Sequence, residues 1–256
     1  SMQVSVDCGV VNARYHSTSK DDLPVTTIEL WVRTREGQSA VVLVNGLRPW
    51  LEISIPGICD DPNDLPSDLK QRLDAVQELD EVTRIHEPEL KWTYLGTKLH
   101  WKVEVNQPYV VPRLREKLEA DWMLTSSDIV FQRRFFLDAD LGPHLTIDGE
   151  VIYASENAPE QFREMAPSSD DIGDAQVIRS HGGSGIYPVD FVMSVVMENC
   201  KECEPFQAPY VVLSFDLETS IATDTILCAA ACVENWGSGE KDTRTFVGEE
   251  ENILAE

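Results

Sequence analysis

The chain has 256 residues, of which 42% are hydrophobic and 26% charged, and its 45 acidic and 21 basic side chains give a net charge of −24. This length allows one large domain or two modest ones, and the composition excludes a disordered chain, a collagen and a disulfide-knotted miniprotein. No window of about 18 residues is uncharged and apolar, so we expect no membrane span, and without an export signal we expect a cytoplasmic protein. Taken alone, the acidity argues against a phosphate-binding surface, because nucleic-acid binders usually carry a basic face.

The N-terminal third of the chain contains several strand patterns. Residues 26–32 and 39–44 are rich in β-branched side chains and are bounded by turn residues, so both segments are predicted strands. Residues 98–105 alternate between apolar and polar positions, which predicts a half-buried strand. The apolar side chains that share its buried face are Leu99, Trp101, Val103 and Val105.

Two helices are predicted between and after these strands. From Asp64 onward, the spacing of Leu69, Leu73 and Val76 places three apolar side chains on one helical face, and Ser67 is a candidate cap. A second helix is predicted to begin at Pro112, because a helix does not use the backbone N–H of its first residue.

These patterns divide the chain into three segments. Residues 1–138 read as a small α+β domain, and residues 139–205 as an extended connection or insertion of unknown role. Residues 206–256 begin a new domain with two apolar strands, and its last five residues, 252–256, look like the first turn of a helix.

Several familiar sites can be set aside. The loop His181-Gly-Gly-Ser-Gly superficially resembles an esterase oxyanion loop, but the chain has no G-x-S-x-G nucleophile elbow, so we interpret it as a flexible loop. No Walker loop or dinucleotide fingerprint occurs, and the five histidines show no ligand spacing.

The cysteines offer a weak zinc signal. Cys200 and Cys203 form half of a zinc-ribbon spacing, and Cys228 and Cys232 could supply the other half. The second pair, however, lies in an apolar run typical of a buried strand, and reduced cysteine is common in protein cores. We therefore expect free thiols and no zinc.

Two carboxylates stand out on the predicted strand VVLSFDLETS. Residues two apart on a strand share a face, so Asp216 and Glu218 lie together. The apolar residues between and before them are predicted to point into a core; they are Val211, Leu213, Phe215 and Leu217. Paired carboxylates can hold Mg²⁺ or Mn²⁺, and two such ions can drive phosphodiester hydrolysis. In a chain this acidic D-x-E arises by chance about twice, so the placement on an apolar strand carries the interpretation.

Four segments, in order, resemble family-B DNA polymerases, particularly the archaeal members. VVLSFDLETS resembles their first exonuclease motif, the D-I-E-T strand. Residues 110–138 resemble the V-P-x-I-R-E-K … D-I-P-F-x-x-R-Y-L-I-D stretch of their N-terminal domain. Residues 46–53 resemble the F-R-P-Y-x-Y strand, and residues 92–105 the F-L-G-x-x-x-x-V-W-K hairpin.

The resemblance implies an α+β N-terminal domain with a mostly antiparallel sheet, followed by the first strands of a ribonuclease-H-like exonuclease domain. It implies a DNA-directed DNA polymerase, a nucleotidyltransferase of DNA replication with 3′–5′ proofreading, associated with the nucleoid. Asp216 and Glu218 would then be exonuclease metal ligands that need Mg²⁺ or Mn²⁺. The second and third exonuclease motifs and the polymerase motifs are absent, so we expect the natural protein to continue past residue 256 and this chain alone to be inactive.

The resemblance also implies a template-binding pocket, because archaeal members bind template uracil in the N-terminal domain. Val130 and Trp50 depart from the family's Pro and Tyr. The positions that match the pocket are Tyr15, Pro49, Trp50, Val111, Pro112, Arg115, Ile129, Phe131 and Arg134. The apolar members could enclose a flat base, while Arg115 and Arg134 could hold phosphates. In the alternative interpretation, the apolar residues are ordinary core and the arginines are solvated.

Two further interpretations of the whole chain remain open. One is a non-catalytic module that binds nucleic acid or a replication partner, and the other is a free-standing nuclease, which the missing acidic motifs disfavour. The expected partners are single-stranded template, primer–template in the full enzyme and, for the full protein, a sliding clamp.

Overall fold

The computed structural model describes residues 3–20, 23–56, 65–94, 96–167 and 173–247. In this part of the chain fourteen strands form three sheets, accompanied by five α-helices. The strands are β1 (Gln3–Lys20), β2 (Leu23–Thr34), β3 (Ser39–Asn45), β4 (Trp50–Ser54), β5 (Val82–Ile85), β6 (Glu89–Thr93), β7 (Gly96–Val105), β8 (Met123–Thr125), β9 (His144–Ala154), β10 (Phe191–Val196), β11 (Cys200–Glu202), β12 (Val211–Ser220), β13 (Thr225–Asn235) and β14 (Lys241–Val247). The helices are α1 (Leu69–Gln77), α2 (Val110–Leu118), α3 (Phe131–Asp138), α4 (Glu160–Met165) and α5 (Asp174–Ser180).

The first sheet has the order β1-β2-β3-β10-β9-β11, and β1 also pairs with β9, so the sheet closes on itself. Its pairings are antiparallel except for β10 against β3. Both faces are apolar, as expected when both are covered. One face packs against Phe131 and Phe135 of α3 and Phe162 of α4, and the other against Val177 and Ile178 of α5.

The second sheet is inserted between β3 and β9. Its order is β5-β7-β4-β8, with β6 paired to β7, and all of its pairings are antiparallel. The four apolar residues predicted on β7 are buried in its core together with residues of α1 and α2. The predicted α+β class with mostly antiparallel sheets is therefore confirmed.

The segment 139–205, predicted as an extended connection or insertion, contributes β9, β10 and β11 to the first sheet. The reason is long-range pairing: Phe191 on β10 pairs with Ala40 on β3, and local sequence patterns do not report such partners. The first sheet thus joins the start of the predicted N-terminal domain to the segment after it.

The predicted helix starts also shift slightly. Helix α1 begins at Leu69 with Asp68 at the cap position and no side-chain capping bond, so Ser67 is not the cap. Helix α2 begins at Val110, which leaves Pro112 within the first turn, where its missing N–H still costs nothing. The helical turn predicted for residues 252–256 lies outside the described residues.

The loop that begins at His181 is held in place, in contrast to the expected flexible loop. The backbone N–H and the hydroxyl of Ser184 donate hydrogen bonds to the Tyr187 hydroxyl at 2.9 and 3.1 Å, and that hydroxyl donates to Glu29 Oε1 at 2.5 Å. Burial, followed by the bond to Glu29, raises the pKa of Tyr187 to about 12. Burial alone would raise the pKa of Glu29, but hydrogen bonds from Tyr187 and Arg14 hold it below its usual value.

The third sheet is the antiparallel meander β12-β13-β14. The side chains of β12 predicted to enter a core are exposed instead, with Phe215 at 70% and Leu213 at 59%. The prediction is wrong for the described chain because no described layer covers this face.

Among the described residues, no helix has the length and apolar character needed to cross a membrane.

Candidate functional site

A cavity of about 440 Å³ opens where the first sheet, the second sheet and α3 meet. Its walls come from β1, the β3–β4 junction, α2 and the segment leading into α3. The lining residues are Tyr15, Pro49, Trp50, Pro108, Tyr109, Val111, Pro112, Arg115, Ser127, Asp128, Ile129, Val130, Phe131, Gln132 and Arg134. All nine residues predicted for the template pocket are among them, and their binding role stays a prediction. The volume falls within the range of about 300–1,000 Å³ typical of small-molecule sites.

The apolar wall is built by aromatic and branched side chains. Tyr15 meets the ring of Phe131 edge to face, with centroids 5.7 Å apart. Phe131 is anchored in the core of the first sheet, and Val111 in the core of the second. Pro112 is exposed and Ile129 partly exposed, which a residue of an ordinary core would not be.

Trp50 also lines the cavity and is held by three contacts. The guanidinium of Arg134 lies 3.8 Å from its ring centroid, and the ammonium of Lys102 lies 4.9 Å from it. The indole Nε1 donates a hydrogen bond of 2.7 Å to Asp138. A tryptophan held by these three contacts is a rigid part of the cavity wall.

The two arginines of the cavity, Arg134 and Arg115, differ in burial and in contacts. Arg134 is buried, it donates a hydrogen bond to the carbonyl oxygen of Ser126, and it faces Asp138 at 3.9 Å. Burial lowers the pKa of Arg134, while Asp138, Glu52 and Asp128 oppose that shift. Its position under the tryptophan therefore suits support of the wall better than contact with a phosphate.

Arg115, in contrast, lies partly exposed on α2 at the edge of the cavity. It remains the cavity residue best suited to contact a phosphate. At the rim, Tyr109 is 55% exposed and carries the guanidinium of Arg113 5.4 Å from its ring centroid.

Sequence reasoning missed several lining residues, among them Tyr109, Asp128 and Gln132. Their only sequence signal was adjacency to predicted positions, because they fill gaps between matched motif residues.

Asp216 and Glu218 share one face of β12, as predicted, opposite Ala230 and Cys228 of β13. Both carboxylates are exposed, and Asp216 Oδ1 accepts a hydrogen bond of 3.1 Å from the N–H of Leu217. Two carboxylates fit part of the oxygen ligand set of Mg²⁺. Within the described residues, however, no cluster of three histidine, cysteine or acidic side chains could hold a metal.

The five described cysteines are free, with Cys8 and Cys200 buried. Burial, followed by Glu198 and Asp148, raises the pKa of Cys200 to about 12, which makes it a poor thiolate ligand. Cys200 lies on the first sheet and Cys228 on the third, so the two halves of the considered zinc pattern belong to different sheets. Cys59 lies outside the described residues.

The structure of the family B DNA polymerase from the hyperthermophilic archaeon Pyrobaculum calidifontis is similar to this chain. The fold resembles part of that polymerase. The similarity covers 97% of this chain with a TM-score of 0.58 at 16% sequence identity. This chain spans 28% of the length of that polymerase chain. No protein-family model matches the sequence, and no curated protein matches it at a significant level.

Proposed function

We propose that this chain is the N-terminal part of a family-B DNA polymerase and that its cavity binds uracil in single-stranded template DNA. The observation that carries the proposal is that all nine residues grouped by the family resemblance line one cavity. The fold similarity to an archaeal family B DNA polymerase is independent support for the family.

The cavity chemistry fits a flat base that lacks a methyl group. Phe131 and Val111 are anchored in two different cores, and Trp50 is held by two cations over its ring and a hydrogen bond to Asp138, so the walls resist displacement. In so rigid a slot the 5-methyl group of thymine would overpack, at a cost of about 1–3 kcal/mol. Aromatic faces such as Tyr109 offer stacking for neighbouring bases without sequence preference.

The acidity of the chain is compatible with this proposal. Template and primer in such enzymes are held largely by the palm, thumb and fingers, which would lie outside this chain. The N-terminal piece then needs only local phosphate contacts, for which Arg115 is the candidate.

The test is fluorescence anisotropy with single-stranded oligonucleotides that differ only in one deoxyuridine or thymidine. We expect tighter binding of the uracil strand by about 5- to 150-fold, with affinity falling as salt rises. Equal affinities would remove uracil recognition and leave the polymerase assignment standing.

A matched pair of arginine variants sharpens this test. Arg115→Ala should weaken binding of both strands and reduce the salt dependence, because one phosphate contact is lost. Arg133→Ala is the control, since Arg133 is exposed on α3 and does not line the cavity.

The proposed proofreading role of Asp216 and Glu218 applies to a longer protein that supplies further exonuclease ligands. There, Asp216 and Glu218 would share Mg²⁺ or Mn²⁺ with ligands from other segments, and the metal would activate water for phosphodiester cleavage. Determining the gene sequence past residue 256 tests this directly. A downstream N-x-x-x-F/Y-D motif and a palm D-T-D motif are expected, whereas an immediate stop codon would favour the non-catalytic binding module.

A further inference from the structure

A second cleft, of about 580 Å³, lies on the polar face of the second sheet. On β7 the core residues Leu99, Trp101 and Val103 alternate with polar residues, which therefore point to the opposite face. Five acidic and three basic side chains line this cleft, an excess of two negative charges. We call it the charged cleft, and the sheet residues in its wall are Glu52 on β4, Glu89 and Lys91 on β6, and His100, Lys102 and Glu104 on β7.

His100 is buried in the wall of the charged cleft, with 4% of its surface exposed. Its ring Nδ1 lies 3.0 Å from the carbonyl oxygen of Lys98, and because a carbonyl only accepts, Nδ1 carries the proton and donates. The neutral ring therefore has its lone pair on Nε2, the ring nitrogen farther from the backbone.

This Nε2 atom has no hydrogen-bond partner among the described residues. Four side-chain atoms of the described chain are both unpartnered and closed to solvent, and Nε2 of His100 is not one of them. It is therefore an open acceptor, and since the rest of the residue is buried, the charged cleft is what it opens into.

A carboxylate lies beside this acceptor. Glu89 on β6 is the cross-strand partner of His100, so the two side chains share a face with Cβ atoms roughly 4.5–5.5 Å apart. The side chain of Glu89 is 76% exposed, and its ion-pair partner Lys91, at 3.8 Å, contacts Glu52 more closely. A group that reaches Nε2 must donate a hydrogen bond, and next to Glu89 a positive charge is favoured. An alkylammonium group meets both conditions.

We propose that the charged cleft binds a linear polyamine, with one ammonium group donating a hydrogen bond to Nε2 of His100 and lying against the carboxylate of Glu89. The excess of two negative charges matches a ligand with at least two ammonium groups. A phosphate fits less well, because acidic side chains outnumber basic ones. A metal ion also fits less well, because no group of three histidine, cysteine or acidic side chains in the described chain could hold one. The proposal is independent of the template cavity, with which the cleft shares only Trp50.

The test is isothermal titration calorimetry with spermidine at pH 8, where imidazole is ordinarily neutral, in about 0.1 M salt to screen diffuse attraction. We expect one saturable site. His100→Phe removes the acceptor and keeps a ring, and it should weaken binding about tenfold. Glu89→Gln should also weaken binding about tenfold, and because Glu89 is exposed, this variant decides the matter even if His100→Phe does not fold.

The matched control is Glu116→Gln, which removes the same charge from an exposed position of α2 outside the cleft. It should leave spermidine affinity nearly unchanged. Equal losses in Glu89→Gln and Glu116→Gln would show only diffuse attraction to an acidic chain and would overturn the proposal. So would wild-type affinity in a folded His100→Phe variant.

Two further measurements identify the contact and the ligand class. In nitrogen-15 NMR spectra the Nε2 resonance of His100 should shift as spermidine is added, whereas that of His16, which lies on β1 outside the cleft, should not. An unmoved His100 resonance would contradict the contact. Butylamine carries a single ammonium group, like a lysine side chain of a partner protein, and should bind at least about tenfold more weakly. Equal affinity for butylamine and spermidine would reject a polyamine as the ligand.

Discussion

Glu29 shows how a single buried carboxylate can tie a loop to a sheet. It lies on β2, its side chain is 1% exposed, and it accepts hydrogen bonds from both Arg14 and Tyr187. Tyr187 in turn holds Ser184, so the glycine-rich loop is fixed through one hydroxyl group. The same hydroxyl keeps the charged form of Glu29 favourable in the folded state.

This network predicts a pH-dependent stability difference. Tyr187→Phe removes the donor to Glu29 and should lower the free energy of unfolding at neutral pH by about 1–2 kcal/mol. The folded pKa of Glu29 lies below its usual 4.5, so its contribution is present above that value and is lost as the pH falls through the folded pKa. The difference in unfolding free energy between variant and wild type should therefore shrink as the pH falls below 4.5 in denaturant titrations.

Tyr153→Phe is the control for this prediction, because Tyr153 packs against the same cluster as Tyr187. A gap for Tyr187→Phe that stays constant from neutral to acidic pH would contradict the role assigned to Glu29.

The family resemblance grouped nine residues that line one cavity, but residue type did not predict that the Arg134 side chain is buried. The nine pocket positions came from the resemblance to family-B DNA polymerases, and all nine line one cavity, while their binding role stays a prediction. Burial of Arg134 depended on Trp50 and Asp138, which are remote in sequence from one another. Arginine is usually solvated, so its type gave no indication of a buried guanidinium.

At the scale of elements, β12 shows that hydrophobic periodicity predicts which residues share a strand face but not whether that face is buried. Alternation correctly places Asp216 and Glu218 on one face and Val211 and Leu213 on the other. Whether another layer covers either face depends on residues elsewhere in the protein, and the alternation within one strand gives no information about them. The same limit applies to β9 and β10, whose partners lie far away in sequence.

Because both carboxylates are exposed, we expect their double substitution to leave the stability of this chain nearly unchanged. Asp216→Ala with Glu218→Ala should change the unfolding free energy of this chain by about 0.5 kcal/mol or less, since exposed positions usually tolerate change. In the full-length protein the same pair should abolish excision of a mismatched 3′ end and leave primer extension intact. Extension is the internal control, and persistent excision would refute the assignment as metal ligands.

At the scale of the whole molecule, the candidate metal ligands among the described residues lie on one strand, β12. Two-metal hydrolysis of a phosphodiester requires ligands from several elements. The purified chain should therefore neither shorten labelled single-stranded DNA with Mg²⁺ or Mn²⁺ nor extend a primer. Shortening that disappears on Asp216→Ala would show that the chain assembles a working site by itself.

The parallel pairing of β10 with β3 has a consequence for biosynthesis. Ser39 at the start of β3 and Asp190 just before β10 are joined by hydrogen bonds across 151 positions of sequence. At a synthesis rate of about 5–20 residues per second, a ribosome delivers β10 roughly 7–30 s after β3. During that interval β3 presents an unpaired hydrophobic edge, a known template for aggregation. The second sheet, whose strands all lie between these two, emerges meanwhile, so the inserted unit is complete before the sheet that carries it has closed.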